Sequence, residues 1–307
     1  MMKKVLLFSF FVLMLSSCWI NDDITKKDSP TTGYLKLFFE EGLDLHLKSQ
    51  TQAFNATYKH AQFDLIASNE LECIQSLFND SCKAIFISRA LTEKEINQFK
   101  ASNIVVNSSL VAKEAIAFII PKTFADSTIS VSQLIDLLKG NDSSYIAGKH
   151  IEIVFDNQNS GNTRFLKDSL ISGLAFGKNC SATNSTKELV ELIANSTHKI
   201  GVCSYAWFSD KDDSRCRALL DNVNFLAVSK SNEGIAYMPD QSNIATGDYA
   251  FVREIHFIRR TAEFSLAKGL QTFIAGPTGQ LMFLKQGLVP NRQEERLIEV
   301  DLTPIPQ

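Results

Sequence analysis

The chain has 307 residues, of which 45% are hydrophobic and 21% are charged, and its formal net charge at pH 7 is −3. This composition is typical of a globular protein and excludes a disordered or fibrous chain. With 31 basic and 34 acidic residues there is no basic excess, so a nucleic-acid partner is not expected. At roughly 150 residues per domain, the length predicts two structural units or one large one.

The N-terminal segment has the features of a targeting signal. Lys3-Lys4 precedes an apolar run at residues 5–15, which is too short for a membrane span because a spanning helix needs about 20 residues. The run therefore predicts a secretory signal peptide over residues 1–17. It ends in Leu15-Ser16-Ser17-Cys18, which resembles a bacterial lipobox. An ordinary signal peptide followed by an incidental cysteine is the alternative.

On the lipobox interpretation, Cys18 becomes the first residue of the mature chain and carries a lipid. Such a protein is anchored to a membrane but does not span it. Residues 18–32 are mostly polar and are predicted to form a flexible tether. We therefore expect a periplasmic protein held on a bacterial membrane by lipid, with surface exposure as an alternative.

Five further cysteines follow Cys18, and an exported chain permits disulfides. By spacing alone, Cys73 with Cys82 and Cys203 with Cys216 are conceivable pairs, and Cys180 is left over. The preferred interpretation is that several of the five are small buried apolar residues.

Short apolar strands alternate with helices along the mature chain. In chain order, the patterns predict a strand at 34–39, a helix from 43, a strand at 63–67, a helix at 70–78, a strand at 83–87, a helix at 92–99, strands at 104–107 and 115–120, a helix at 133–138, a strand at 151–155, a helix from 164, a helix at 188–193, strands at 200–203, 225–228 and 251–258, helices at 262–275 and 278–286, and a strand at 297–300. The helix at 92–99 begins with the capping box Thr92-Glu93-Lys94-Glu95. This alternation predicts an α/β protein with mainly parallel sheets.

Enzyme signatures are missing from the sequence. The five histidines are scattered without an HExxH motif, and there is no GxSxG, P-loop or GxGxxG. Ser265-Leu266-Ala267-Lys268 matches SxxK, but it lies in an amphipathic helix and has no SDN or KTG partner. We therefore expect neither catalysis nor a cofactor or metal.

Polar turns follow several predicted strands and precede helices. They are Glu40-Glu41-Gly42, Ser88-Arg89, Asn159-Ser160-Gly161-Asn162-Thr163 and Ser204-Tyr205. Ligands of open α/β sheets bind outside the carboxyl ends of the strands. A helix N-terminus with hydroxyl donors and an arginine suits an oxyanion. Helix capping explains each turn alone, but together the turns favour capture of a small oxyanion without covalent chemistry.

Five stretches carry a resemblance to a known family. They are Lys83 to Thr92, Glu114 to Ile119, Val154 to Gly161, Ile200 to Ser214, and Phe273 to Gln280. In order and spacing they resemble the PstS family, the substrate-binding proteins of phosphate ABC transporters, and more narrowly its lipoprotein relatives from Bacteroidetes-like bacteria.

The resemblance covers about residues 33–300. It implies a two-lobed type II periplasmic-binding-protein fold with the ligand in the cleft. Lobe 1 comprises residues 33–114 and 231–307, lobe 2 comprises residues 115–230, and two strands form the hinge. Such a protein captures phosphate or a related oxyanion for an ABC permease.

Within this resemblance, Ser160 and Gly161 match the Ser-Gly of the family's phosphate loop, and Ser88 matches the serine of the lobe 1 loop. Asn162 stands where the family has threonine. Glu40-Glu41 replaces a loop of small residues. These positions imply a phosphate site with an altered set of donors.

Two charges of the family site are exchanged in this sequence. Arg89 stands where a proton-accepting Asp is expected, and Asp156 stands where the anion-pairing Arg is expected. Our hypothesis is that Arg89 supplies the guanidinium and that Asp156 or Glu40 accepts a proton from the anion. The alternative is that Arg89 and Asp156 only pair with each other and no phosphate binds.

The resemblance thus implies a solute-binding lipoprotein with an inter-lobe site. The predicted ligand-binding residues are Glu40, Glu41, Ser88, Arg89, Asp156, Ser160, Gly161, Asn162, Thr163 and Tyr205. The implied partners are inorganic phosphate or a similar oxyanion, an ABC permease and a membrane reached through Cys18, and we expect a monomer. The alternative is a ligand-poor or differently specific protein of the same fold with a sensory, scaffolding or surface role.

Overall fold

The computed structural model describes residues 28–292 except 125, 142–144, 147–148 and 261–263. The predicted signal peptide, the lipidation site at Cys18, much of the tether and the strand predicted at 297–300 lie outside the described residues. Among the residues that are described, no helix has the length and apolar character needed to cross a membrane.

Strands and helices alternate along the chain, and we number each kind in chain order. The strands are β1 Gly33–Glu40, β2 Ala61–Ser68, β3 Ala84–Ile87, β4 Val106–Pro121, β5 Thr128–Ser130, β6 Tyr145–Ile146, β7 Lys149–His150, β8 Glu152–Phe155, β9 Cys180–Ala182, β10 Lys199–Ser204, β11 Val223–Phe225, β12 Ala227–Ser229, β13 Ala236–Tyr237, β14 Val252–Arg260 and β15 Val289–Pro290. The helices are α1 Asp44–Thr57, α2 Glu70–Phe78, α3 Glu93–Ala101, α4 Val131–Lys139, α5 Gly161–Ile171, α6 Thr186–Ala194, α7 Ser214–Leu220, α8 Gln241–Thr246, α9 Leu266–Ala275 and α10 Pro277–Lys285. Short 3-10 turns follow β1 at Glu41–Leu43 and β10 at Tyr205–Trp207.

One long strand connects the two halves of the main sheet. The strand order is β2-β1-β3-β14-β4-β10-β8-β9, and β11 and β15 also pair with β4. The first part of β4 pairs with β14, and its last part pairs with β10 and β11. The predicted two-lobed α/β fold is therefore confirmed. The lobe boundaries at residues 114/115 and 230/231 stay a prediction.

Parallel and antiparallel pairings occupy different parts of this sheet. β1 is parallel to β2 and β3, and β8 is parallel to β9 and β10. The strands that cross the middle of the sheet, β4 and β14, pair antiparallel with their neighbours. The prediction of parallel strands thus holds on either side of β4 and β14. The polar turns follow the carboxyl ends of the parallel strands β1, β3 and β8.

Apolar side chains of the strands face two separate layers of helices. In β1, Leu37 and Phe39 belong to the main core, whereas Phe38 belongs to a second cluster beneath α2 and α3. In β3, Phe86 faces the main core and Ile87 faces the second cluster. Successive strand residues point to opposite faces, so helices must cover both faces of these parallel strands.

The described cysteines are all free, and four of the five are buried. The structure thus favours the interpretation of these residues as small buried apolar groups. Cys73 and Cys82 contribute to the second cluster, and Cys203 contributes to the main core.

Element boundaries differ from the sequence prediction in three informative places. The strands predicted at 104–107 and 115–120 are one continuous strand, β4. The helix predicted from residue 164 begins three residues earlier, at Gly161. The strand predicted at 225–228 is divided into β11 and β12, which join different sheets. Strand pairing decides the boundaries of β4, β11 and β12, and the Ser160 cap decides the start of α5. Apolar periodicity alone reports neither.

Candidate functional site

Four strands end at the same cleft. Glu40 ends β1, Ser88 follows β3, Asp156 follows β8 and Ser204 ends β10, and all four residues are buried. The cleft encloses a cavity of about 400 Å³. Its lining is mostly polar and comprises Glu40, Glu41, Gly42, Leu43, Ala67, Ser68, Asn69, Glu72, Glu114, Asp156, Asn157, Ser160, Asn162, Asn184, Ser204 and Arg253.

A buried ion pair forms the floor of the cleft. Arg253 of β14 lies opposite Glu114 of β4 in the sheet register, and its Nη2 donates to Glu114 Oε1. The hydroxyl of Ser204 donates to the other oxygen of the same carboxylate. Both charged side chains are at least 97% buried. Burial would lower the pKa of Arg253, but Glu114, Glu40 and Glu70 outweigh it and raise that pKa.

This arginine retains donors that nothing in the described part of the chain uses. Arg253 Nη1 and Nε are both buried without a hydrogen-bond partner among the described residues. A buried donor left unsatisfied costs about 1–3 kcal/mol, more when the group is charged. The guanidinium therefore offers two donor nitrogens, Nε and Nη1, to a ligand at the cleft floor.

The Glu40 carboxylate has the surroundings that an anion would need. Its Oε2 accepts hydrogen bonds from the Ser88 backbone N–H, at 2.5 Å, and from the Ser88 hydroxyl. Its Oε1 faces Gly161, the first residue of α5, close to the position that a Cβ would occupy. Burial raises the pKa of Glu40 to about 6, and nearby Arg253 opposes the shift. Glu40 thus places a negative charge between hydroxyl, backbone and guanidinium donors.

Gly161 allows these groups to converge. A Cβ at this position would lie 2.8 Å from Glu70 Oε2 and 3.0 Å from Arg253 Nη1, besides touching Glu40. A side chain would therefore fill the space where three charged groups meet. The first N–H groups of a helix lack intrahelical acceptors, so the start of α5 adds donors and a partial positive charge to this point.

The loop before α5 is organised by Asp156. Its carboxylate accepts from Ser160 Oγ at 2.7 Å, from Asn162 Nδ2 at 2.6 Å and from the Asn157 N–H at 2.9 Å. Ser160 also caps α5 by accepting from the Thr163 N–H at 3.2 Å. Burial raises the pKa of Asp156, and these hydrogen bonds oppose the rise. Asn162 Oδ1, whose amide is oriented by Asp156, is buried without a partner among the described residues.

An ion-pair network joins the two sides of the cleft. Glu70 at the start of α2 accepts from Arg164 of α5, with Nε at 2.6 Å and Nη2 at 3.1 Å. Glu70 also accepts from Arg89 Nε at 2.7 Å. Both terminal nitrogens of Arg89 donate to Glu95, each at 2.7 Å. Arg89 is therefore engaged by two carboxylates, neither of which is Asp156.

The structure brings most of the predicted site residues together. Five of them line the cavity, namely Glu40, Glu41, Asp156, Ser160 and Asn162. Two more, Ser88 and Gly161, contact Glu40. The remaining three are placed differently: Thr163 donates its hydroxyl to Asn157 O, Arg89 binds Glu70 and Glu95, and Tyr205 lines a separate depression beside Phe208 and Phe225.

Sequence reasoning missed the buried charges on the sheet. Arg253 lies two residues from Phe251 and Ile255 and four from Phe257, so it is on the same face of β14 as these buried apolar residues. This is an unusual position for a charge. Because arginine is rarely buried without a partner, this period-two pattern is a signal that could have identified it. For Glu70, by contrast, the first-turn position in α2 indicates only favourable helix electrostatics.

The fold and this site define a two-lobed α/β protein with a polar cleft. The family model described as a PBP superfamily domain matches residues 28–278. The chain belongs to this family, which confirms the periplasmic-binding-protein assignment made from the sequence. The narrower assignment to lipoproteins of Bacteroidetes-like bacteria stays a prediction.

Solved structures show the same fold at low sequence identity. A candidate phosphate ABC transporter substrate-binding protein with bound phosphate, from Clostridium perfringens, has a TM-score of 0.69 and 16% identity, and the match covers 85% of this chain and all of the other. An ABC-type phosphate transport receptor from Vibrio cholerae has a TM-score of 0.64 and 14% identity, with 84% and 100% covered. The CcmR regulatory domain of Synechocystis in complex with 2-PG has a TM-score of 0.52 and 13% identity, with 83% and 98% covered. The search of curated proteins found no match.

Proposed function

We propose that this protein is an extracytoplasmic solute-binding lipoprotein that captures phosphate or a similar oxyanion in its cleft and delivers it to an ABC permease. The observation that carries the proposal is the position of the Glu40 carboxylate. It lies among the Ser88 N–H and hydroxyl, the Arg253 guanidinium and the start of α5, which are donors for an oxyanion. The Clostridium and Vibrio proteins of the same fold are described as phosphate-binding or phosphate-transporting.

The residue roles in this proposal differ from the hypothesis drawn from the sequence. Arg253 takes the place of Arg89 as the anion-binding guanidinium, because Arg253 keeps two unpartnered donors and Arg89 is held by Glu70 and Glu95. An arriving oxyanion replaces the Glu40 carboxylate at the Ser88 donors. Glu40, displaced or protonated, then hydrogen-bonds to the ligand.

Binding in this scheme requires no covalent step and no cofactor. The lobes close on the ligand by a hinge motion, with Arg164 of α5 reaching Glu70 across the cleft when the lobes meet. Lipid on Cys18 holds the protein at a membrane of the periplasm, next to the permease, and the polar segment to residue 32 serves as the tether.

Isothermal titration calorimetry with inorganic phosphate tests the proposal on the full-length chain. Arg253→Lys keeps a positive charge beside Glu114 but loses the planar fork, and we expect at least a tenfold loss of affinity. Arg89→Lys is the matched control, for which we expect less than a threefold change. The reverse pattern would return the anion-binding role to Arg89, and failure of the unmodified protein to bind any of phosphate, sulfate and the phosphonates would overturn the proposed function.

One observation favours a second candidate function. The Glu40 carboxylate already accepts from both Ser88 donors of the anion position. A cleft that is filled by its own carboxylate fits a sensory, scaffolding or surface lipoprotein of the same fold. Glu40→Ala distinguishes the two functions, because phosphate binding that appears only in this variant indicates a self-occupied site, whereas binding by the unmodified protein indicates a transport protein.

A further inference from the structure

The charges that line the cleft are mostly of one sign. Five of the six charged residues on the cavity wall are acidic, and Arg253 is the sole base among them. Arg253 is already paired with Glu114, which leaves Glu40, Glu41, Glu72 and Asp156 with no ion-pair partner among the described residues. A bare phosphate would bring one or two more negative charges into this wall. Like charges brought together in a poorly solvated site oppose binding.

The cleft carries a group of donors and a second group of acceptors. Donors are concentrated at Arg253, Ser88 and the start of α5, where the Glu40 carboxylate lies. Acceptors are concentrated at Asp156 and Glu41, which are close enough that Asp156 contributes to the raised pKa of Glu41, after burial. We call the position of the Glu40 carboxylate the anion-binding end of the cleft, and the part of the lining formed by Asp156, Glu41 and Asn162 the cation-binding end.

An unpartnered oxygen marks the cation-binding end. Asn162 is 4% exposed, its Nδ2 donates to Asp156 Oδ2, and its Oδ1 has no hydrogen-bond partner among the described residues. Buried polar atoms are nearly always hydrogen-bonded. Oδ1 can only accept, so the ligand group that completes this site must be a hydrogen-bond donor.

The size of the cavity leaves room for a ligand larger than a tetrahedral anion. At about 30 Å³ per heavy atom, the share that water takes in the liquid, the five atoms of phosphate fill roughly 150 Å³. The cavity measures about 400 Å³, which leaves room for a short carbon chain and a second polar group. Within the described residues, no cluster of three or more His, Cys, Asp or Glu could hold a metal ion, so an ammonium group fits the acidic end better than a metal does.

We propose that the cleft binds a small zwitterion in which a phosphoryl or phosphonyl group is joined by a short chain to an ammonium group. The oxyanion occupies the position of the Glu40 carboxylate, between Arg253 and Ser88. The ammonium donates to Asp156, to Glu41 and to Asn162 Oδ1. This inference rests on the proposed function, since it names the ligand class of the same site.

Calorimetry on the full-length chain with three probes tests the inference. The probes are 2-aminoethylphosphonate, its uncharged-tail analogue n-propylphosphonate, and inorganic phosphate. We expect 2-aminoethylphosphonate to bind at least tenfold more tightly than n-propylphosphonate. Glu41→Gln should reduce this preference to less than threefold. Glu191→Gln, an exposed position on α6 outside the cavity, is the control and should keep the full preference.

The outcomes separate this inference from the proposed function. Equal affinity for the two phosphonates, or tighter binding of phosphate than of either, overturns the zwitterion while leaving oxyanion capture intact. A preference that Glu41→Gln does not change overturns the assigned cation-binding end. If none of the three probes binds, the proposed function fails as well.

Discussion

The buried pair on the cleft floor makes a prediction about stability. Arg253→Met leaves Glu114 fully buried with no counter-charge, and breaking a buried pair in this way costs about 3–5 kcal/mol. Glu114→Gln should cost less, about 1–3 kcal/mol, because Arg253 still has Glu40 and Glu70 nearby to oppose its charge. The asymmetry follows from the neighbours of each group. Three carboxylates act on the arginine, whereas Arg253 is the ion-pair partner of Glu114 among the described residues.

Urea unfolding of the full-length chain, followed by circular dichroism, measures these losses. Arg215→Met is the matched control, since Arg215 pairs with Asp213 on the surface and is 63% exposed, where an ion pair contributes about 0–1 kcal/mol. The double variant Arg253→Met with Glu114→Gln should lose less than the two single losses added together. If Arg253→Met costs no more than Arg215→Met, or if the two losses on the cleft floor are additive, the pair is not the structural unit described above.

Three further predictions concern the walls of the cleft. Burial raises the pKa of Glu40 from 4.5 to about 6, so the contribution of Glu40 to folding stability is full below pH 4.5 and is lost as pH rises through 6. This loss should be about 2 kcal/mol of unfolding free energy between pH 4 and pH 7. Urea unfolding of Glu40→Gln at these two pH values should not show it, and an unchanged pH dependence would contradict the assignment. Arg164→Ala removes the ion pair with Glu70 and should increase the radius of gyration measured by small-angle X-ray scattering. It should cost at most about 1 kcal/mol of stability, since the arginine is 36% exposed. Arg164→Lys should show a smaller increase, and no increase in either variant would refute a role of Arg164 in closing the lobes. Ser160→Ala should cost about 1 kcal/mol as a lost helix cap and should weaken phosphate binding measured by calorimetry. Ser130→Ala removes the cap of α4, which is not part of the cavity lining, and should cost about the same without affecting phosphate binding. Equal effects of the two variants on phosphate binding would argue against a site at α5.

Local signals in the sequence were sufficient for many of the elements. The helix predicted at 70–78 is α2 at the same residues, and the predicted Thr92 to Glu95 capping box is present at the start of α3. Both depend on residues within one or two turns of each other. Ser160 was also a strong capping signal, but the low helix propensity of Gly161 and Asn162 led to a predicted start three residues late.

Long-range pairing explains most of what the sequence did not reveal. The Ser108 to Glu114 portion of β4 is too polar for an apolar-run prediction, yet it is held in the sheet by pairing with β14, more than 130 residues away. The role of Arg89 depends in the same way on its ion pair with Glu70, 19 residues earlier in the chain, which no spacing rule connects to it. The turns at the strand ends could therefore be predicted, whereas the charge partners within the cleft could not.

The position of β14 in the sheet has a consequence for how the chain folds. β14 lies between β3 and β4, so the central sheet keeps a gap until residue 260 has left the ribosome or the export channel. Until then β3 and β4 present unpaired edges, which are templates for aggregation. Pairings of such sequence separation also form slowly. Fragments that end before β14 should therefore aggregate rather than accumulate as stable half-molecules.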